Sequence, residues 1–431
     1  MQNKTKLLTI SLHHPRIVRG GSQQVAYELF HGASKDPEME THFIGCLDPA
    51  IGKAVPPPGA VFTGIDNLPN ENLMFSYNFD VTYHLQSNSF VVDKVEEFFA
   101  NNSFDWVHFH HSLFVGLEML DIIKKYNANT KIFYTLHEYL PICLADGQLK
   151  KTFNKSLCYD YSPSACFRCF PQHSTDFFFL RKSIFMQKFN LVDHFITPSN
   201  FSKERFVEWG MNADDITTIP NGQENLRNSN LKPKNTKNSL VVKFGFFGQM
   251  VDNKGVHLII EAAIILASLL EEEFKSNFKF EIYFYGGNLN FASEEYRNKL
   301  EELLSSCDDT LKKKLFFKGE YTHEQLPSIF NNIDCVITPS TWFEVFGLVV
   351  SEAWMFEKPV IASDIGGLGD RIQNGENGLK FNPNDAYDLA IKMDEYITHY
   401  HFGDREFTNI QPPLSQNDFW QAHKTLFSKF S

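Results

Sequence analysis

Short apolar runs rich in β-branched and aromatic residues alternate along the chain with longer stretches of helical period. In the first half, residues 7–12, 43–47, 106–109, 131–136 and 194–197 read as strands. In the second half, 241–247, 280–285, 315–318, 335–338 and 359–362 do the same. Several are continuously apolar, as strands covered on both faces are. Strands alternating with helices predict doubly wound α/β sheets. Residues 223–239 (QENLRNSNLKPKNTKNS) are polar, rich in Asn and Lys, and contain a proline, so they read as a linker. The expected organisation is a first domain over 1–222, the linker 223–239, a second domain over 240–412, and a terminal segment 413–431 with a last helical stretch at 417–430. Ligands of open α/β sheets bind beyond the carboxyl ends of the strands. With two such halves, the expected site is a cleft between them.

The length of 431 residues suits two large domains or three of about 150 residues each. Hydrophobic residues are 43% and charged residues 21%, which excludes wholesale disorder. A formal charge of -12 lacks the basic footprint of a nucleic-acid binder, so no nucleic-acid partner is expected. Phe is 43 of the 431 residues, enough to fill a core and still leave some rings for a membrane or a lipid-like ligand. No stretch approaches the roughly 18 apolar residues that span a bilayer. The apolar run at 7–12 is too short for a secretion signal, so a reducing cytoplasm is the expected compartment.

Three places carry candidate chemistry. Arg19-Gly20-Gly21-Ser22 follows the first strand and precedes a helical run at 23–30. Glycines there let the backbone approach a ligand, and the helix offers free amides to an anion. It is not a GxGxxG fingerprint. Gly248-Gln249, then Lys254-Gly255, follow the first strand of the second half, where a lysine can set a compact charge against a diphosphate. Glu344 and Glu352 stand seven residues apart around Phe346-Gly347-Leu348-Val349. If a helix starts near Gly347, its first amides can meet a phosphate. The carboxylates suit the vicinal hydroxyls of a sugar or ribose.

The order Pro339-Ser340, Glu344-x-Phe346-Gly347, Glu352-Ala353, Lys358-Pro359 to Asp364, Gly366-Gly367 and Asn374-Gly375-x-Asn377-Gly378 resembles the retaining glycosyltransferases of family four, of the bacterial cell-surface polysaccharide type. The resemblance extends to Gly20-Gly21, Thr197-Pro198-Ser199, Pro220-Asn221-Gly222, Gly248 and Lys254-Gly255. It implies the GT-B fold, two Rossmann-like domains facing across a cleft, with the terminal helix packed back on the first. It also implies a nucleotide-diphosphate sugar donor and a glycan or lipid-linked acceptor. By that resemblance Glu344 contacts the donor sugar, Glu352 the ribose, and Lys254 the diphosphate together with amides at Phe346, Gly347, Leu348 and Val349. The family usually carries arginine where this chain has Gln249, so one cation expected on the leaving group is missing; Arg16, Arg19 and Arg371 are candidates to replace it. The family also places a histidine at a strand end against the donor sugar. His110, in Asp105-x-x-His108-x-His110, is the better match and His137 the second, while His108 reads as structural.

Cys143, Cys158, Cys166 and Cys169 are separated by 14, 7 and 2 residues. Four soft ligands with one CxxC predict a structural zinc ion or iron–sulfur cluster, with disulfides and free thiols as the alternatives. Residues 176–189 (DFFFLRKSIFMQKF) fit either a core helix with a basic outer edge or a helix lying on the inner face of an anionic membrane. No Asp-x-Asp follows a strand, so no metal ion is expected at the diphosphate and no cofactor in catalysis. The expected function is retaining sugar transfer. The competing readings are a sugar-nucleotide epimerase and a non-catalytic binding protein on a degenerate transferase.

Overall fold

The structure, a computed structural model, describes residues 4–227, 239–272, 279–287, 289 and 292–430. Positions 228–238 of the expected linker and Ser431 lie outside the described residues. The chain forms two compact units, Met1–Glu224 with Leu414–Ser431, and Asn225–Pro413.

The first unit contains β1 (Thr5–Ser11), β2 (Met39–Leu47), β3 (Phe62–Ile65), β4 (Leu68–Phe75), β5 (Phe79–Asp80), β6 (Leu85–Gln86), β7 (Trp106–Phe109), β8 (Lys131–Thr135), β9 (His194–Thr197) and β10 (Ile216–Thr218). Among the described residues, eight of them form one sheet in the order β10-β9-β8-β7-β1-β2-β4-β3. Its pairs are parallel except β3 with β4. β3 and β10 escape the periodicity because they are short edge strands, and β4 because its first half is polar. Such strands need no continuous apolar run.

The second unit contains β11 (Val241–Phe247), β12 (Lys279–Tyr285), β13 (Leu315–Gly319), β14 (Cys335–Thr338), β15 (Val360–Ser363) and β16 (Gly378–Phe381). Its sheet is wholly parallel in the order β13-β12-β11-β14-β15-β16. The order reverses direction between β11 and β14, and in the first unit between β1 and β7. Those switch points are where doubly wound sheets open a crevice for ligands. Helix Val256–Glu272 seals one face of the second sheet, with Ile259, Ala262, Ala263 and Leu266 buried against Phe244, Ile282 and Phe284.

Helix Gln416–Phe427 belongs to the first unit. Ser415 caps it, and Phe419, Trp420, His423, Leu426 and Phe427 make one buried stripe at helical spacing. Trp420 Nε1 donates to Asp36 Oδ2 at 2.8 Å, and Phe427 stacks on Phe133 at 3.7 Å. Gly32, on helix Gly21–Ser34, lets the two helices approach; a Cβ there would press on the Gln416 carbonyl. The surplus of Phe goes largely into these cores, Phe43, Phe75, Phe109, Phe133, Phe185, Phe206, Phe244, Phe280 and Phe284 being fully buried.

Candidate active site

In the second unit the loops after β11 and β14 meet at the switch point. A short 3-10 turn, Asp252–Lys254, ends in Gly255 at φ 73°, where a side chain would collide with the Pro339 carbonyl. Thr341 N donates to Asn253 O at 2.9 Å and ties the loops together. Lys254 is thereby set against Glu344, Nζ to Oε1 at 2.5 Å. Ser340 Oγ and Trp342 Nε1 donate to the same oxygen at 2.9 and 3.0 Å. Burial pushes the Glu344 carboxyl up, but the Lys254 charge and these donors prevail and hold it below its usual range. The glycine pair Gly366-Gly367 supports this loop from below. Gly367 N donates to Glu344 O at 2.7 Å, and side chains on the pair would strike the Glu344 and Val345 backbone.

Gly347, at φ 79°, turns the chain into helix Leu348–Met355. No side chain caps that helix, so its first amides lack an intrahelical acceptor. Glu352 lies just over one turn in. Its Oε2 is buried with no hydrogen-bond partner among the described residues, and burial raises the carboxyl to about 7. An orphaned carboxylate oxygen is costly unless a ligand supplies the donors. Gln249 is exposed after β11. Arg371 does not project like a free replacement for the missing cation. Its guanidinium is committed to the carbonyls of Phe346 and Gly347.

In the first unit, Gly20 and Gly21 are exposed at the start of helix Gly21–Ser34, with no side-chain cap. His110, just after β7, and His137, just after β8, share a hydrogen bond, Nδ1 to Nε2 at 2.8 Å. Burial lowers both imidazoles, His137 to about 3, so the pair is neutral at pH 7. His110 is buried and its Nε2 has no partner among the described residues. His108 is fully buried against Thr135 Oγ1 at 2.7 Å.

The metal centre expected of Cys143, Cys158, Cys166 and Cys169 is not supported. All four line one small pocket, but among the described residues no three His, Cys, Asp or Glu side chains are arranged to hold an ion. Arg181, on helix Thr175–Phe189, donates to the carbonyls of Thr82, Leu140 and Pro141 and so fastens the loop that an ion was expected to hold. Burial raises the thiols of Cys143, Cys158 and Cys166, which keeps them protonated. Of the basic edge expected at 176–189, Arg181 is the exception. Arg181 is buried and Lys188 pairs with Asp121 at 2.6 Å, while Phe179 and Leu180 face outward. No helix among the described residues is long and apolar enough to cross a membrane.

Ser340 stands in the sequence motif and Arg371 among its candidate cations, but the contacts they make are not written there. Trp342 was missed; it stands two residues from Glu344, a proximity that flags it only once the carboxylate is in focus.

Comparison with known proteins places these features in a family. Residues 20–224 match the family described as Glycosyltransferase Family 4, and residues 225–406 match Glycosyl transferases group 1. Mannosylfructose-phosphate synthase of Agrobacterium fabrum is 28% identical over 199 residues, 44% of this chain and 42% of that protein. D-inositol 3-phosphate glycosyltransferase of Corynebacterium efficiens is 29% identical over 187 residues, 42% of this chain and 41% of that protein. The matched stretch thus spans about two fifths of these relatives. The crystal structure of Anabaena HepE in complex with UDP and glucose superposes with a TM-score of 0.63 at 18% identity, over 99% of this chain and 100% of that one. At that identity the likeness carries the fold. The two family matches abut and together run from residue 20 to residue 406, one for each doubly wound unit: the chain belongs to the GT-B glycosyltransferases of family 4.

Proposed function

We propose that the chain is a retaining hexosyltransferase. It moves a sugar from a nucleoside-diphosphate donor to a glycan or lipid-linked acceptor in cell-surface polysaccharide synthesis, with no metal ion at the diphosphate. The observation that carries this reading is Lys254 held on Glu344 at the switch point, beside the uncapped start of helix Leu348–Met355. Breaking the anomeric bond leaves an oxocarbenium-like centre and builds negative charge on the departing phosphate. Lys254 and the first helix amides are donors suited to that charge. Glu344 keeps Ser340 and Trp342 as partners when Lys254 turns to the phosphate, and its carboxylate accepts from sugar hydroxyls. Glu352 takes the ribose hydroxyls. The neutral His110–His137 pair suits hydrogen bonding to a sugar. The acceptor proton passes to the leaving diphosphate, so no separate base is needed.

HepE structures hold UDP with glucose, and UDP-glucose, which makes UDP-hexoses the first donors to try. Gln249 favours a second reading, a nucleotide-sugar binding protein without turnover. A thermal-shift screen of nucleoside-diphosphate sugars comes first, since a donor at 100 times its Kd stabilises by roughly 2.7 kcal/mol. Product analysis follows, with and without glycan acceptors. Acceptor-dependent transfer with retained configuration supports the proposal; altered sugar from donor alone indicates an epimerase, and binding without turnover the second reading. Contact with the inner face of the membrane is proposed through Phe179 and Leu180, and flotation with anionic vesicles tests it.

A further inference from the structure

Arg371 closes helix Gly366–Arg371 and is half-buried against the turn that starts helix Leu348–Met355. Its guanidinium lies between two aromatic rings, 3.8 Å from the Phe346 centroid and 5.0 Å from that of Trp354. Nη1 donates to Phe346 O at 3.2 Å and to Gly347 O at 2.8 Å, and Nη2 to Ser351 Oγ at 2.8 Å. Among the described residues, no carboxylate comes within ion-pair distance of it. Burial lowers it only to about 9, against the charge of Asp370, so it stays charged at pH 7.

A largely desolvated cation whose hydrogen-bond partners are all neutral costs free energy, and such costs concentrate where a ligand brings the opposite charge. The hydrogen bonds also have a direction. In a trans peptide the C=O and the following N–H point opposite ways. Pinning the carbonyls of Phe346 and Gly347 onto Arg371 therefore turns the N–H groups of Gly347 and Leu348 away from it, outward from the helix start. A fixed positive charge behind those peptides adds to the field that the helix end presents to an anion.

We propose that Arg371 is a positioning residue for the donor diphosphate: it aims the Gly347 and Leu348 amides at the phosphates and supplies, through them, the positive charge that Gln249 does not. This rests on the donor reading of the site.

The test compares nucleoside diphosphates with their nucleosides on the intact 431-residue chain. UDP, GDP and ADP are titrated beside uridine, guanosine and adenosine, for the wild type, Arg371→Met and Arg371→Lys. Arg371→Met should weaken the preferred diphosphate about tenfold and leave its nucleoside unchanged. Arg371→Lys keeps the charge but loses the fork, and should give a smaller loss of the same kind. Equal weakening of diphosphate and nucleoside means a structural role only and overturns the proposal. Should Arg371→Met fail to fold, an unchanged diphosphate-to-nucleoside ratio in Arg371→Lys overturns it equally. A wild type that binds no diphosphate more tightly than its nucleoside sinks the donor reading itself, and the proposal with it.

Discussion

Lys254 and Glu344, ninety residues apart, share a hydrogen bond of 2.5 Å between Nζ and Oε1. Each restrains the other. The lysine keeps a buried carboxyl ionised, and the carboxylate parks the lysine beside the helix start where a diphosphate is proposed to arrive. Removing Lys254 therefore has two consequences. Lys254→Ala should lower turnover by roughly 10²–10³-fold, the scale for one preorganised donor to developing charge. It should also raise the Glu344 pKa, since burial then acts against fewer opposing charges. The pH profile of kcat/KM should acquire an acidic limb at higher pH than in the wild type. Loss of turnover with an unmoved acidic limb would separate the two residues functionally.

Glu352 makes a second prediction, through pH. Its carboxyl is raised by burial to about 7, above its usual value. The stability from burying the neutral form is fully present below the unfolded pKa and is lost as pH rises through about 7. Glu352→Gln should match the wild type in melting temperature near pH 4 and exceed it near pH 8. Ribose hydroxyls stabilise the carboxylate, so nucleotide binding near pH 6 should release a proton. Wild-type affinity should then climb with pH, by at most about tenfold per unit for a single proton. Calorimetry in two buffers of different ionisation enthalpy reads the proton directly; zero release would remove Glu352 from the ribose.

The cysteines can be settled by chemistry. Neutral, partly buried thiols should alkylate slowly at pH 7 in the folded chain and rapidly once it is unfolded. Elemental analysis of anaerobically purified protein is the companion measurement. One equivalent of zinc, or iron with sulfide, would reinstate the metal centre that the four-cysteine spacing suggested.

Helix Gln416–Phe427 is predicted to be integral to the first unit. Trp420 is fully buried and its indole nitrogen is satisfied by Asp36. Trp420→Ala should cost about 3–5 kcal/mol, the range for emptying an aromatic site. Urea unfolding monitored by circular dichroism measures it, and a loss below about 1 kcal/mol would mean the helix is dispensable.

Much of the fold was legible in advance. Buried parallel strands are continuous apolar runs bounded by polar turns, so β7, β9, β11 and β14 emerge with the bounds expected of them. Edge strands such as β3 and β16 did not, because one open face or a short span removes that signal. The loop from Ser340 to Glu352 was readable for a different reason. Its glycines and carboxylates lie within one short stretch, and local spacing is what a linear chain records.

What the sequence by itself determined was the set of elements and the inventory of chemistry: two runs of alternating strands and helices, Lys254, Glu344 and Glu352 after strand ends, and four cysteines in one segment. Only the tertiary structure decided their partners. It put Lys254 on Glu344, left Glu352 Oε2 without a donor among the described residues, turned Arg371 inward onto the Phe346 and Gly347 carbonyls, and fastened the cysteine loop with Arg181. The division has a physical cause. Periodicity follows from burial of one face at a time, which is local. The state of a charged group depends on which distant segments remove water from it and which donors they bring, and packing alone arranges that.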